Sequence, residues 1–109
     1  MSIEEFEELA LSFPQTIKHP HFDRTAFKVE KKRIYATLHE PSSTVNMKLS
    51  LIEQSVFCLI DKDAIYPVPN KWGLQGWTTF KLNKVSGELM CDALGVAYRE
   101  VFRTKGKSK

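Results

Sequence analysis

The 109-residue chain reads as an α+β domain: a two-layer sandwich, with helices packed on an antiparallel sheet of about five strands, in the order α-β-β-β-α-β-β-α. Three features say so. Apolar residues recur at helical spacing near the start, in the middle and at the end of the chain. Between these stretches the period switches to two. The alternating runs are separated by turn-sized gaps, which suit hairpins and therefore antiparallel pairing. An apolar content of 42% with 27% charged residues supports a core and excludes a disordered chain. A domain of this length needs no disulfide or metal staple. No apolar run is long enough to cross a bilayer.

Ser2-Ile3-Glu4-Glu5 is a capping box, and Ile3, Phe6, Leu9, Ala10 and Phe13 follow at helical spacing up to Pro14. The stretch after Pro14, including His19-Pro20-His21, carries no period and is expected to be irregular. From Thr25, Ala26-Phe27-Lys28-Val29 reads as a strand and Lys31-Lys32 as a turn. Ile34, Ala36 and Leu38 then alternate with Tyr35, Thr37 and His39. After a turn at Pro41-Ser42-Ser43, Val45, Met47 and Leu49 alternate with Asn46 and Lys48, which puts Asn46 and Lys48 on one face. Ser50-Leu51-Ile52-Glu53 is a second capping box. It opens a helix to about residue 60, with Leu51, Ile52, Val56, Leu59 and Ile60 as its apolar stripe, expected to cover the sheet. Ile65–Pro69 is extended, and its prolines suit an edge. Asn70 to Gly76 is a loop, Trp77–Leu82 the last strand, and Ser86 the cap of a final helix with Leu89, Met90, Ala93, Leu94, Ala97, Val101 and Phe102 as its stripe. Residues 1–103 thus form one domain, followed by a basic tail, 104–109, expected to fray.

The net charge of +3 is too small by itself to imply a polyanion partner. Its distribution says more: Lys28, Lys31, Lys32 and Arg33 crowd one predicted hairpin, interrupted only by Glu30. Such a cluster is an electrostatic footprint, or a solvated turn that deters edge-to-edge aggregation. Cys58 and Cys91 lack metal or redox spacing, fall in apolar helical patterns and are expected to be buried free thiols. The acidic start lacks the basic and apolar regions of a signal peptide, so a cytoplasmic location is expected.

No catalytic constellation is legible, and the chain is expected not to be an enzyme. No serine sits in a nucleophile elbow, and there is no glycine-rich phosphate loop. His19, His21, His39 and Glu40 are the only conceivable metal set, but their spacing does not complete a tetrahedral site, so no metal or cofactor is expected. The unusual stretch is 67–78, which holds Trp72, Trp77, two glycines and the pair Asn70-Lys71. It can serve as a stacking and cation-binding surface beside a phosphate-directed lysine, or as a loop pinned to the core by aromatic anchors.

The order and spacing of several motifs resemble the MmcQ/YjbR family of small bacterial proteins. These are Pro20-His21-Phe22; Phe27-Lys28-Val29 with Lys31; Ile34-Tyr35-Ala36-Thr37-Leu38; Asn46-Met47-Lys48-Leu49-Ser50; and Trp72-Gly73-Leu74-Gln75-Gly76-Trp77-Thr78 before a terminal helix. The resemblance runs from about residue 3 to 103. Many members place an Asn-Lys pair shortly before a single Trp. Here Asn70-Lys71 is separated from Trp77-Thr78 by a longer stretch holding Trp72 and two glycines. The resemblance implies a compact α+β domain, often labelled DNA-binding and described as a double wing. On that reading Lys28, Lys31, Lys32 and Arg33 form a wing against phosphates, with Lys48, Lys71, Trp72 and Trp77 on the same surface. Binding would be weak and salt-sensitive, with little sequence preference, because no helix presents an Arg/Asn reading face. The alternative is a protein-interaction module, since the family fold resembles type III secretion chaperones. The edge near Ile65–Val68 and the tryptophan loop would then grip the partner. A monomer or weak dimer is expected in either case.

Overall fold

The first helix forms where its capping box stands. In the computed structural model, which describes residues 1–103, the Ser2 hydroxyl accepts the Glu5 amide and the Glu5 carboxylate accepts the Ser2 amide. That backbone N–H, more than anything else, holds the Glu5 carboxyl below its usual value. Helix α1 (Ile3–Leu11) buries Phe6 and Ala10 and closes at Ser12, ahead of Pro14.

Strand β1 (Thr16–His21) is the first departure from expectation. The segment around His19-Pro20-His21 is not irregular but pairs antiparallel with β2 (Arg24–Val29). It is an edge strand with no fully buried residue, so it carries no alternation of apolar and polar residues to read. An edge also tolerates Pro20, which has no N–H to donate. With β3 (Ile34–His39), β4 (Thr44–Lys48), β5 (Ile65–Pro67) and β6 (Trp77–Lys81), the sheet has six strands in the order β1-β2-β3-β4-β6-β5. Every pairing is antiparallel. The element order is therefore α-β-β-β-β-α-β-β-α, one strand more than the pattern predicts.

The inner face of the sheet presents Phe27, Val29, Ala36, Leu38, Val45, Met47 and Phe80. It packs against Phe6 and Ala10 of α1 and against Met90, Ala93, Leu94 and Ala97 of α3 (Gly87–Val101). A bulge opposite Phe27 and Lys28 gives β3 an extra residue, Tyr35. Tyr35 is fully buried, with its ring edge-to-face on Tyr98 of α3 and its hydroxyl sharing a 2.7 Å hydrogen bond with that of Thr16. Burial pushes this phenol up to about 12. Arg33 closes the layer by donating to the Glu100 and Val101 carbonyls at the C-terminal end of α3.

Helix α2 (Leu51–Cys58) is the second departure. Ser50 caps it, but the helix ends short of residue 60, and its apolar stripe does not cover the sheet. Leu51, Ile52, Val56, Leu59 and Ile60 are all exposed, Ile52 and Leu59 at 77% each. The buried residue is Gln54, whose amide donates to the carbonyls of Gly73 (3.0 Å) and Trp77 (3.2 Å). Phe57 supplies the apolar contact, edge-to-face on Phe80. The sheet's core face is already occupied by α1 and α3, so α2 packs beside β5 and the tryptophan loop, where backbone carbonyls accept the Gln54 amide as a second donor.

The cysteines also correct their reading. Cys91 is exposed, because the buried stripe of α3 begins one residue earlier at Met90 and continues through Ala93, Leu94 and Ala97. Cys58 is half-buried, and desolvation raises its thiol. No helix among the described residues is long and apolar enough to cross a membrane. The expectation for 104–109 lies outside the described residues.

Candidate functional site

Strand register decides what faces away from the core. His21 stands opposite Arg24, Ala26 opposite Thr37, and Thr37 opposite Asn46. Asn46 in turn stands opposite Thr79, and Lys48 opposite Trp77. With Lys28, Lys81 and Tyr66 these residues form the outer face of the sheet. Not one of the six strands carries an aspartate or glutamate. The carboxylates of the described residues all stand on helices, turns and connecting segments. Asp23 is the one beside Arg24 in sequence, and it pairs with His39 Nε2 at 3.2 Å. His39 Nδ1 shares a hydrogen bond with Ser42 at 2.7 Å.

Arg24 lies half-buried across this face. Its Nε donates to Thr37 Oγ1 at 2.8 Å and Nη2 to the Thr37 carbonyl at 3.3 Å. Desolvation lowers its pKa against a smaller opposing effect of Asp23, and no carboxylate of the described residues lies within ion-pairing distance of it. Asn46 is oriented by the Thr79 hydroxyl, which donates to Asn46 Oδ1 at 2.8 Å.

The tryptophan loop folds over one end of the face. Both its glycines are required there. A Cβ on Gly73 would lie 1.9 Å from the Val68 carbonyl oxygen, and one on Gly76, at φ +106°, 1.9 Å from that of Leu49. The loop winds through a single 3₁₀ turn, Gly73–Gln75. Asn70 Oδ1 accepts the Trp72 amide, and the Trp72 carbonyl accepts the Trp77 amide. Trp72 is left 49% exposed, and Lys71 Nζ sits 5.9 Å from its ring centre.

Two clefts result. One, of about 280 Å³, lies between the loop and the sheet, lined by Trp72, Trp77, His21, Arg24, Thr37 and Asn46, with Val68 and Asn70 at the loop side. The other, of about 270 Å³, lies at the end of the strands and is lined by Arg33, Lys48, Trp77 and Glu100 among others. Trp77 belongs to both.

The candidate residues therefore divide. Trp72 and Trp77 meet in the first cleft, and Arg33, Lys48 and Trp77 meet in the second. Lys28 is on the same outer face, on β2. Lys31 is exposed in the β2–β3 turn at φ +67°. Lys32 places its ammonium 5.6 Å from the Phe102 ring centre, beside the end of α3. Lys48 Nζ reaches the Leu49 carbonyl at 3.5 Å. Asn70 comes from the stretch 67–78 already marked as unusual, whereas His21, Arg24 and Thr37 join the site without having been singled out as nucleic-acid contacts. Reading 16–21 as a strand would have aligned His21 and Arg24 with Thr37 and Asn46.

Comparison with known proteins agrees with this architecture. The crystal structure of the Deinococcus radiodurans protein DR2400, described with the domain DUF419, superposes with a TM-score of 0.81 over 99% of this chain and 83% of that one, at 22% identity. That likeness is one of fold. No curated protein matches the chain. The family model described as YjbR matches residues 11–100, which include all six strands, the tryptophan loop and nearly all of α3. On that match the chain belongs to the YjbR family.

Proposed function

We propose that this protein binds DNA weakly and with little sequence preference, along the outer face of its sheet. The observation that carries this reading is a face with Arg24, Lys28, Lys48 and Lys81 but no strand carboxylate, beside two tryptophans. Phosphates are attracted to such a face, and an indole accepts any base as a stacking partner. A sheet face with no helix projecting from it suits an unpaired strand better than a major groove. The reading assigns a binding role with no catalytic step, and it fits a cytoplasmic location.

Fluorescence anisotropy of labelled single-stranded and duplex oligonucleotides across a salt series tests it. For about three to five phosphate contacts the log–log salt slope on a single strand is about −2 to −4. Lys28→Gln and Lys48→Gln should each weaken binding on every sequence alike and flatten the slope by about 1. No binding at low salt, or a flat slope, removes the proposal.

One observation favours a second reading, a protein-interaction module: the outward apolar side of α2. A pull-down that recovers one stoichiometric protein, insensitive to nuclease and salt and lost in Ile52→Ser/Leu59→Ser, would replace the first reading with this one.

A further inference from the structure

We propose that the cleft between the tryptophan loop and the sheet holds one unpaired nucleotide, with its ring against the indoles and its phosphate and ring carbonyls toward Arg24 and Asn46. The inference rests on the nucleic-acid reading above and names what that surface takes hold of.

The cleft presents donors. Arg24 uses Nε and Nη2 on Thr37, and Nη1 has no partner among the described residues. Its charge is half-buried without a paired carboxylate, a cost that an incoming anion offsets. Asn46 accepts the Thr79 hydroxyl through Oδ1, which leaves its NH₂ for a ligand. Three acceptors of the wall are engaged: Thr37 Oγ1 by Arg24, Asn70 Oδ1 by the Trp72 amide, and the Val68 carbonyl by the Asn70 amide; the His21 ring can donate or accept. A ligand that matches Arg24 and Asn46 offers oxygens to them. Among nucleotides, thymine and uracil present two ring carbonyls beside the phosphate, whereas adenine presents an exocyclic amine. At about 280 Å³ the cleft is at the lower end for ligand pockets, about 300 Å³, so it suits one nucleotide and not two.

The protein holds two tryptophans in all, and both line this cleft, so intrinsic fluorescence reports the site without a label. The full chain is titrated with thymidine 5′-monophosphate, adenosine 5′-monophosphate and inorganic phosphate. The thymidine nucleotide should give a saturable change, with adenosine nucleotide and phosphate at least tenfold weaker. Arg24→Gln should lower the thymidine nucleotide's affinity at least tenfold. If that variant does not fold, Trp72→Ala, at a half-exposed position, serves instead, with Trp77 as reporter. No saturable change up to millimolar nucleotide overturns the inference, as does an equal response to phosphate alone or indifference to the substitution. If mononucleotides fail while oligonucleotides still bind with a salt slope, the cleft falls and the nucleic-acid reading stands. If mononucleotides bind and oligonucleotides do not, the cleft stands as a nucleotide site and the broader reading falls.

Discussion

Helices α2 and α3 look alike as patterns and behave oppositely in the fold. Each follows a serine cap and repeats apolar residues at helical spacing. In α3 the stripe Met90, Ala93, Leu94, Ala97 and Val101 is buried on the sheet. In α2 the stripe faces out, and the residue turned inward is Gln54. Periodicity establishes that a helix has two unlike faces. Which of them meets the protein depends on what the neighbouring surface presents. Against α3 lie apolar side chains. Against α2 lie the carbonyls of Gly73 and Trp77, which already accept the Gly76 and Val68 amides and take a second donor from Gln54.

Truncation should separate the two helices most sharply. Leu94 is fully buried, and Leu94→Ala removes its contacts and leaves a cavity, at a cost of about 2–5 kcal/mol. The denaturant midpoint measures this. A loss below about 1 kcal/mol would mean that α3 is not the helix that closes the core.

Gln54→Leu probes the other side of the comparison. The substitution keeps bulk but withdraws both hydrogen bonds, leaving the Gly73 and Trp77 carbonyls only their backbone donors, the Gly76 and Val68 amides. The expected cost is about 1–3 kcal/mol. Because those carbonyls belong to the tryptophan loop and to Trp77 at the start of β6, the native tryptophan emission should shift as well, which it should not in Leu94→Ala. An unshifted emission would separate α2 from the shape of the cleft.

The legible and illegible parts of the molecule divide along the same physical line. Strands β2, β3, β4 and β6 were readable because each turns one face to the core, and burial writes alternation into their residues. Strand β1 was not, because an edge strand with no buried residue has no reason to alternate. Within the site, Lys48 and Trp77 were singled out by residue type and nearby motifs, and the face shared by Asn46 and Lys48 follows from period two. Arg24 was missed for a different reason. What marks it is not its type but its position, half-buried beside Thr37 with no carboxylate paired to it, and that relation exists only after β1, β2 and β3 are in register. Lys32 shows the converse: it belongs to a basic run in sequence, yet the turn carries it to Phe102 at the end of α3.

A pH series sharpens the contact between α3 and the sheet. The folded protein holds the Tyr35 proton up to about pH 12, whereas an unfolded chain releases it near 10. Stability from this group is therefore complete below about pH 10 and declines as pH rises from about 10 to about 12. Tyr35→Phe should flatten that decline. At neutral pH it should cost about 0.5–1.5 kcal/mol, through the lost hydrogen bond with Thr16. An undiminished decline would assign the alkaline sensitivity to another group.

The smallest stability effect carries the most information about α2. Ile52 and Leu59 are each 77% exposed, so Ile52→Ser and Leu59→Ser should leave the denaturant midpoint within about 0.5 kcal/mol of the parent. In a dilute monomer nothing packs on these side chains whose loss could be felt. If the double variant instead loses as much as Leu94→Ala, something covers the face in solution. A second copy is the simplest candidate, and binding of that kind makes the parent's stability rise with protein concentration. Unfolding the parent at two concentrations a hundredfold apart then decides the matter. Coincident curves keep α2 as the helix whose apolar side is unsatisfied within its own chain. Separated curves make its stripe a core after all, one completed between molecules.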